Sequence, residues 1–122
     1  MDNQELWVRA LAEHNSGEYL EAHEVFEDLW LEIDDRIEKD VVQTFAQADA
    51  LAVHLQTGNL DAAQRLMRQL PELSQNFPDN YRGTNLKEYR RWLESMISQI
   101  PKFGVVPQIQ NKEPPKLLDS RQ

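Results

Sequence analysis

From Glu18 to Ile33 the chain runs without a glycine or proline, and Tyr19, Ala22, Phe26, Leu29, Trp30 and Ile33 fall on one side of a helix that turns ~100° per residue. A strand sends alternate side chains to opposite faces, so it cannot gather these residues. An apolar face this long has to be covered, and neighbouring helices are the simplest cover. Leu20 and Leu31 lie nearly opposite the main face and predict burial against two neighbours.

The flanking segments repeat the pattern. Leu6, Trp7, Ala10, Leu11 and His14 recur at helical spacing after Asp2 and Asn3, either of which can cap a helix start, so a helix is expected over 3–14, broken by Asn15-Ser16-Gly17. A third helix is expected from Glu38 to Gln56 on the stripe Val41, Phe45, Ala48, Ala52 and Leu55, stopped by Gly58. Asn59 then caps a fourth carrying Leu60, Ala63, Leu66, Met67 and Leu70 and ended by Pro71. Residues 74–84 read as a loop. Asn85 and Glu88 form a capping-box pattern for a fifth helix, with Leu86, Tyr89, Leu93, Met96, Ile97 and Ile100 on its face and Pro101 and Gly104 beyond it.

Pro107, Pro114 and Pro115 predict an extended or mobile end, which Val105, Val106, Ile109, Leu117 and Leu118 can pin onto the helices. No strand pattern of useful length appears. Short connections imply antiparallel neighbours. The expected fold is all-α, a single-domain bundle of about five helices over 1–104 followed by an irregular, proline-containing tail over 105–122.

At 122 residues the chain is long enough to bury one core without a staple. It has no cysteine, which excludes disulfides, zinc ribbons and thiol chemistry and fits a reducing compartment. The first residues lack the basic start and apolar run of a secretory signal, and no stretch reaches the ~20 apolar residues of a membrane span. A cytoplasmic location without membrane attachment is expected. Residues 1–61 hold 15 acidic against 3 basic side chains, while residues 62–122 hold 6 against 10. The acidic half would repel phosphate backbones, so nucleic acid is not expected as a partner. Acidic and basic helices facing each other, or solvating two sides, account for the asymmetry.

The chemistry-bearing residues concentrate at His23-Glu24-Val25-Phe26-Glu27-Asp28-Leu29-Trp30. His23 and Glu27 lie roughly 60° and 100° to one side of Phe26, where a helix meets its neighbour. A third helix packed about 8 to 10 Å away can bring Gln47 or His54 to that flank. With His54 as a third ligand, His23 and Glu27 can hold a divalent transition metal, since imidazole nitrogen and carboxylate oxygen suit Zn, Mn or Fe. Alternatively Glu27 orients His23 as a general base. A purely structural account has His23 donating to Glu27 while Trp30 fills the core. The pattern lacks the second histidine of the zinc-protease signature and the Glu-x-x-His pairs of di-iron bundles. His14 reads as a helix C-terminal residue favoured there by the dipole, and Gln43 and Asp49 as surface or interhelical polar groups.

The segment Asn15 to Trp30 resembles the hallmark of the domain-of-unknown-function family 309, whose His-x-x-x-Glu-x-x-Trp or Tyr motif His23, Glu27 and Trp30 match position for position. Ala46-Gln47 and His54-Leu55-Gln56-Thr57-Gly58-Asn59 are similar to its second helical segment. The resemblance covers roughly residues 5–70 and implies a small all-helical domain whose motif is suggested to bind metal. The leading reading is a helical domain with a metal or polar site built on His23 and Glu27. The alternative is an adaptor or homodimerising module, with the tail, Leu20 or Leu31 as its contact surface and the motif purely structural.

Overall fold

The computed structural model describes residues 2–119; Met1 and the last three residues of the expected tail lie outside the described residues. Six helices follow in order: α1 (Asn3–Asn15), α2 (Tyr19–Glu32), α3 (Arg36–Thr57), α4 (Leu60–Leu66), α5 (Leu70–Leu73) and α6 (Lys87–Gln99). The protein is an all-α bundle. The starts of α1, α3 and α4 are fixed by side chains that satisfy backbone N–H groups no helical carbonyl can reach. Asp2 Oδ1 accepts from Glu5 N at 2.8 Å, Asp35 Oδ2 from Glu38 N at 2.9 Å and Asn59 Oδ1 from Ala62 N at 3.2 Å. Gly58 ends α3 at φ +73°, a left-handed conformation that glycine adopts without steric cost.

Helix α2 packs against both α1 and α3. It runs antiparallel to α3, because His23 contacts Ala46 while Trp30, further along α2, contacts Lys39, further back along α3. The core centres on Phe45 of α3, which is fully buried. Its ring stacks on Phe26 at 5.1 Å and lies within 5.5 Å of Trp7 and 5.2 Å of both Phe77 and Tyr89. One ring thus joins α1, α2, α6 and the segment before α6.

Several expectations are corrected. Helix α4 stops at Leu66 rather than Leu70, and Pro71 opens α5 instead of ending a helix; the first helical turn tolerates a missing N–H. The capping box does not form: Leu86 occupies the cap position of α6, and Asn85 Oδ1 accepts from Lys87 N at 3.0 Å. Leu20 and Leu31 are 52% and 69% exposed, because α1 and α3 share the single face of α2 that holds Ala22, Val25, Phe26 and Leu29.

Three strands of two residues each also form a small sheet absent from the sequence reading: β1 (Asn80–Tyr81), β2 (Thr84–Asn85) and β3 (Leu118–Asp119). Strands β1 and β2 are antiparallel, with Tyr81 opposite Thr84, and the turn between them has Arg82 at φ +50° and Gly83 at φ +76°, as a tight two-residue hairpin requires. Strand β3 pairs antiparallel with β2, Asn85 opposite Leu118. Two residues are too few for alternation to register. Ile109, Pro114 and Leu117 are buried and Val106 packs partly buried against the core, whereas the side chains of Val105 and Leu118 are 91% and 52% exposed and Leu118 holds through its place in β3.

Candidate functional site

His23 sits on the flank of α2 that faces α3. Its Nδ1 lies 2.7 Å from the Ala46 carbonyl, a pure acceptor, so Nδ1 carries the hydrogen and donates it. The Nε2 atom faces Glu27, with Oε1 4.0 Å away and the two side chains 28% and 39% exposed. That separation is too long for the expected His23 to Glu27 hydrogen bond. The imidazole is therefore oriented by the backbone of α3, and its Nε2 and the Glu27 carboxylate remain partly open to solvent. The antiparallel register carries Gln47 to the level of His23 and Gln43 to the level of Glu27. Both glutamines have a carboxamide oxygen that is buried without a hydrogen-bond partner.

His54 is half-buried on α3. Burial lowers its pKa below the ordinary value, helped by the charges of Arg65 and His23, so the two imidazoles lie within electrostatic reach of one another. Among the described residues, however, no three His, Asp or Glu side chains gather into a metal-holding group. His23 and Glu27 are brought together, and His54 stands apart from them. Trp30 is packed against the core but only partly buried, with Lys39 Nζ 4.1 Å above its ring and donating to the Trp30 carbonyl at 2.8 Å.

A second polar centre joins α1 to α3. His14 Nδ1 and Asp49 Oδ1 are 2.8 Å apart with both side chains fully sealed from solvent, and His14 Nε2 lies 2.9 Å from the Pro115 carbonyl. A carboxylate and a carbonyl both only accept, so two N–H groups on His14 are required unless Asp49 itself carries a proton and donates it. In either arrangement the pair holds one proton more than a neutral imidazole beside an ionised acid.

Burial, the largest influence on His14, works against its charged form, but the hydrogen bond and charge of Asp49 and the Pro115 carbonyl outweigh it, leaving the pKa above 6.5. Burial also raises Asp49, opposed by the hydrogen bond from His14 and the charges of His14 and His23. Tyr19 and Tyr89 rings flank the imidazole at 5.4 and 5.6 Å. The Tyr89 hydroxyl and Asp49 Oδ2 are buried without partners, and burial with the nearby Asp49 charge pushes Tyr89 well above its ordinary value.

His14 does lie in the last turn of α1 and Asp49 is interhelical rather than a surface group, but the dipole alone does not account for a histidine sealed against an acid. A signal was available: Asp49 interrupts the stripe Val42, Phe45, Ala46 and Ala52, and His14 continues Leu6, Trp7 and Ala10. A polar residue inside an apolar stripe needs a buried partner.

Residues 7–66 match the family described as Domain of unknown function (DUF309). An uncharacterized protein of Aquifex aeolicus (strain VF5) is 32% identical over 94 residues, which cover 76% of this chain and 28% of that protein. The chain thus spans little more than a quarter of the relative it matches. No solved structure matches it. No helix among the described residues is long and apolar enough to cross a membrane. Through residues 7–66, which hold His14, His23, Glu27, Trp30, Asp49 and His54, the chain belongs to the DUF309 family.

Proposed function

We propose that the flank between α2 and α3 binds a divalent transition metal through His23 Nε2 and Glu27, with Zn, Mn or Fe as the fitting ions. One observation carries this reading: the Ala46 carbonyl holds the Nδ1 hydrogen of His23 and leaves Nε2 as the lone-pair nitrogen, aimed toward a carboxylate 4.0 Å away. Metal-binding histidines are commonly fixed in this way by a second hydrogen bond. A tetrahedral ion with bonds of ~2.0 to 2.2 Å sets its ligand atoms about 3.3 to 3.6 Å apart, so these two partly exposed side chains would close by about half an ångström to share one. The unpartnered oxygens of Gln43 and Gln47 on the facing helix add oxygen donors that such ions accept. With His14 engaged by Asp49 and Pro115, His54 is the one remaining imidazole, and as it stands apart from the pair it would have to move toward it to become a third ligand.

A bound ion would act there as a Lewis acid. This chain's contribution is to fix one tautomer and hold an acid beside it at a partly exposed spot.

The test is metal analysis of untagged protein after exposure to Zn, Mn and Fe, followed by exhaustive buffer exchange. Retention of about one ion per chain that is lost in both His23→Ala and Glu27→Gln supports the site. Equal metal content in the wild type and both variants removes it. A second reading, an interaction module, is supported by Leu20 and Leu31, which are exposed and eleven residues apart on the outer side of α2. Sedimentation of Leu20→Glu and Leu31→Glu against the wild type separates that surface from the metal flank.

A further inference from the structure

Residues 109–119 lie in a groove that reads their backbone. The Gln99 carboxamide takes both backbone groups of Gln110, donating to its carbonyl at 3.0 Å and accepting from its N–H at 2.7 Å. Asn15 does the same to Leu117, at 2.9 and 2.7 Å. Trp92 Nε1 donates to the Asn111 carbonyl and His14 Nε2 to that of Pro115, both at 2.9 Å. Strand β3 adds itself to β2, Ile109 and Leu117 join the hydrophobic core and Pro114 is buried too. Main-chain pairing for affinity and alternate side-chain pockets for specificity are how proteins hold an extended peptide.

What joins this segment to the bundle is weaker. Between Ile100 and Ile109, Phe103 and Val105 are 71% and 91% exposed and Gly104 has φ +90°. The hinge is tied to α4 through Gln64 Nε2, which donates to the Pro101 and Gly104 carbonyls at 3.1 and 2.9 Å, to the segment after α4 through Arg68, 4.5 Å above the Phe103 ring, and to the core through the partly buried Val106. Straightening it draws Val106 off the edge of the core but leaves α6 and the core aromatic residues in place.

We propose that the groove exchanges its occupant with a second copy of this chain, residues 108–119 of each copy docking on the other. The second copy's tail has the same sequence, so every contact above is remade, including the carbonyl that His14 bonds. Only the hinge changes conformation. Exchange of an identical element is a low-cost route to a closed, symmetric dimer. The covalently attached tail competes at a high effective concentration, so the exchanged form accumulates as protein concentration rises.

The chain has no cysteine, which permits a direct test on the full-length protein. One preparation carries Asn85→Cys and another Leu118→Cys, positions that face each other across β2 and β3 at the spacing a disulfide can bridge. The two are mixed at high concentration, incubated and oxidised. A mixed disulfide several-fold more abundant than that from Leu31→Cys with Leu118→Cys, both exposed but not opposed, supports exchange. Equal yields in the two mixtures overturn it. Deleting Gly104 and Val105 shortens the hinge and should raise the dimer fraction in sedimentation; an unchanged fraction in the folded variant also counts against exchange through this hinge.

Discussion

His14 and Asp49, 35 residues apart in the chain, meet at 2.8 Å with neither side chain reaching solvent. The contact joins the last turn of α1 to the middle of α3, and through Pro115 it also anchors the tail. Truncating either partner leaves an uncompensated buried group. His14→Ala and Asp49→Ala should each lower unfolding free energy by about 3–5 kcal/mol. Replacing both with leucine should cost less than the two single losses combined. Urea denaturation of the four proteins measures this; additive losses would show that the pair is not coupled.

The same pair sets a pH dependence. The folded pKa of His14 lies above the ordinary 6.5, so the folded state holds a proton that the unfolded chain has released. The resulting stability is fully present below about pH 6.5 and is lost as pH climbs through the raised value of His14. Melting temperatures from pH 6 to 9 should fall more steeply for the wild type than for the double leucine variant. Parallel profiles would mean that the proton is not retained.

On the α2–α3 flank the two motif residues should behave differently in metal-free protein. His23→Ala removes the bond to Ala46 and should cost about 0.5–1.5 kcal/mol. Glu27→Gln, partly exposed and without a hydrogen bond to His23, should change stability by less than about 0.5 kcal/mol. Denaturation in the presence of a chelator compares them, and a large loss in Glu27→Gln would point to a structural role for the acid.

The aromatic residues should rank by burial. Phe45→Ala opens a cavity beneath four rings and should cost about 3–5 kcal/mol. Trp30→Ala, at the bundle's margin, should cost clearly less and should also release Lys39 from its ring. Calorimetry of the two variants gives the order, and a larger loss at Trp30 would reverse the picture of where the core sits.

Much of this architecture was legible in the residues. Asp2, Asp35 and Asn59 cap helices, Gly58 stops one and the stripes through Phe26, Phe45 and Leu93 face inward, because capping and amphipathic period act within a few residues. The motif His23, Glu27 and Trp30 was legible for the same reason, as was its position on a flank. The break after Leu66 was not, since a proline that ends one helix and a proline that begins another look alike until the next turn is placed.

The order of letters determined an all-helical bundle and the face of each helix that turns inward, since both follow from local stereochemistry and side-chain spacing. Which residues then meet was decided by packing in three dimensions. A helical wheel names the side on which His14, His23 or Asp49 lies but not the partner on another rod. A tail read through its backbone by Asn15 and Gln99 leaves no period in its own sequence. The Ala46 carbonyl that orients His23 is a main-chain atom, present at every position, and the bundle alone brings this one within reach.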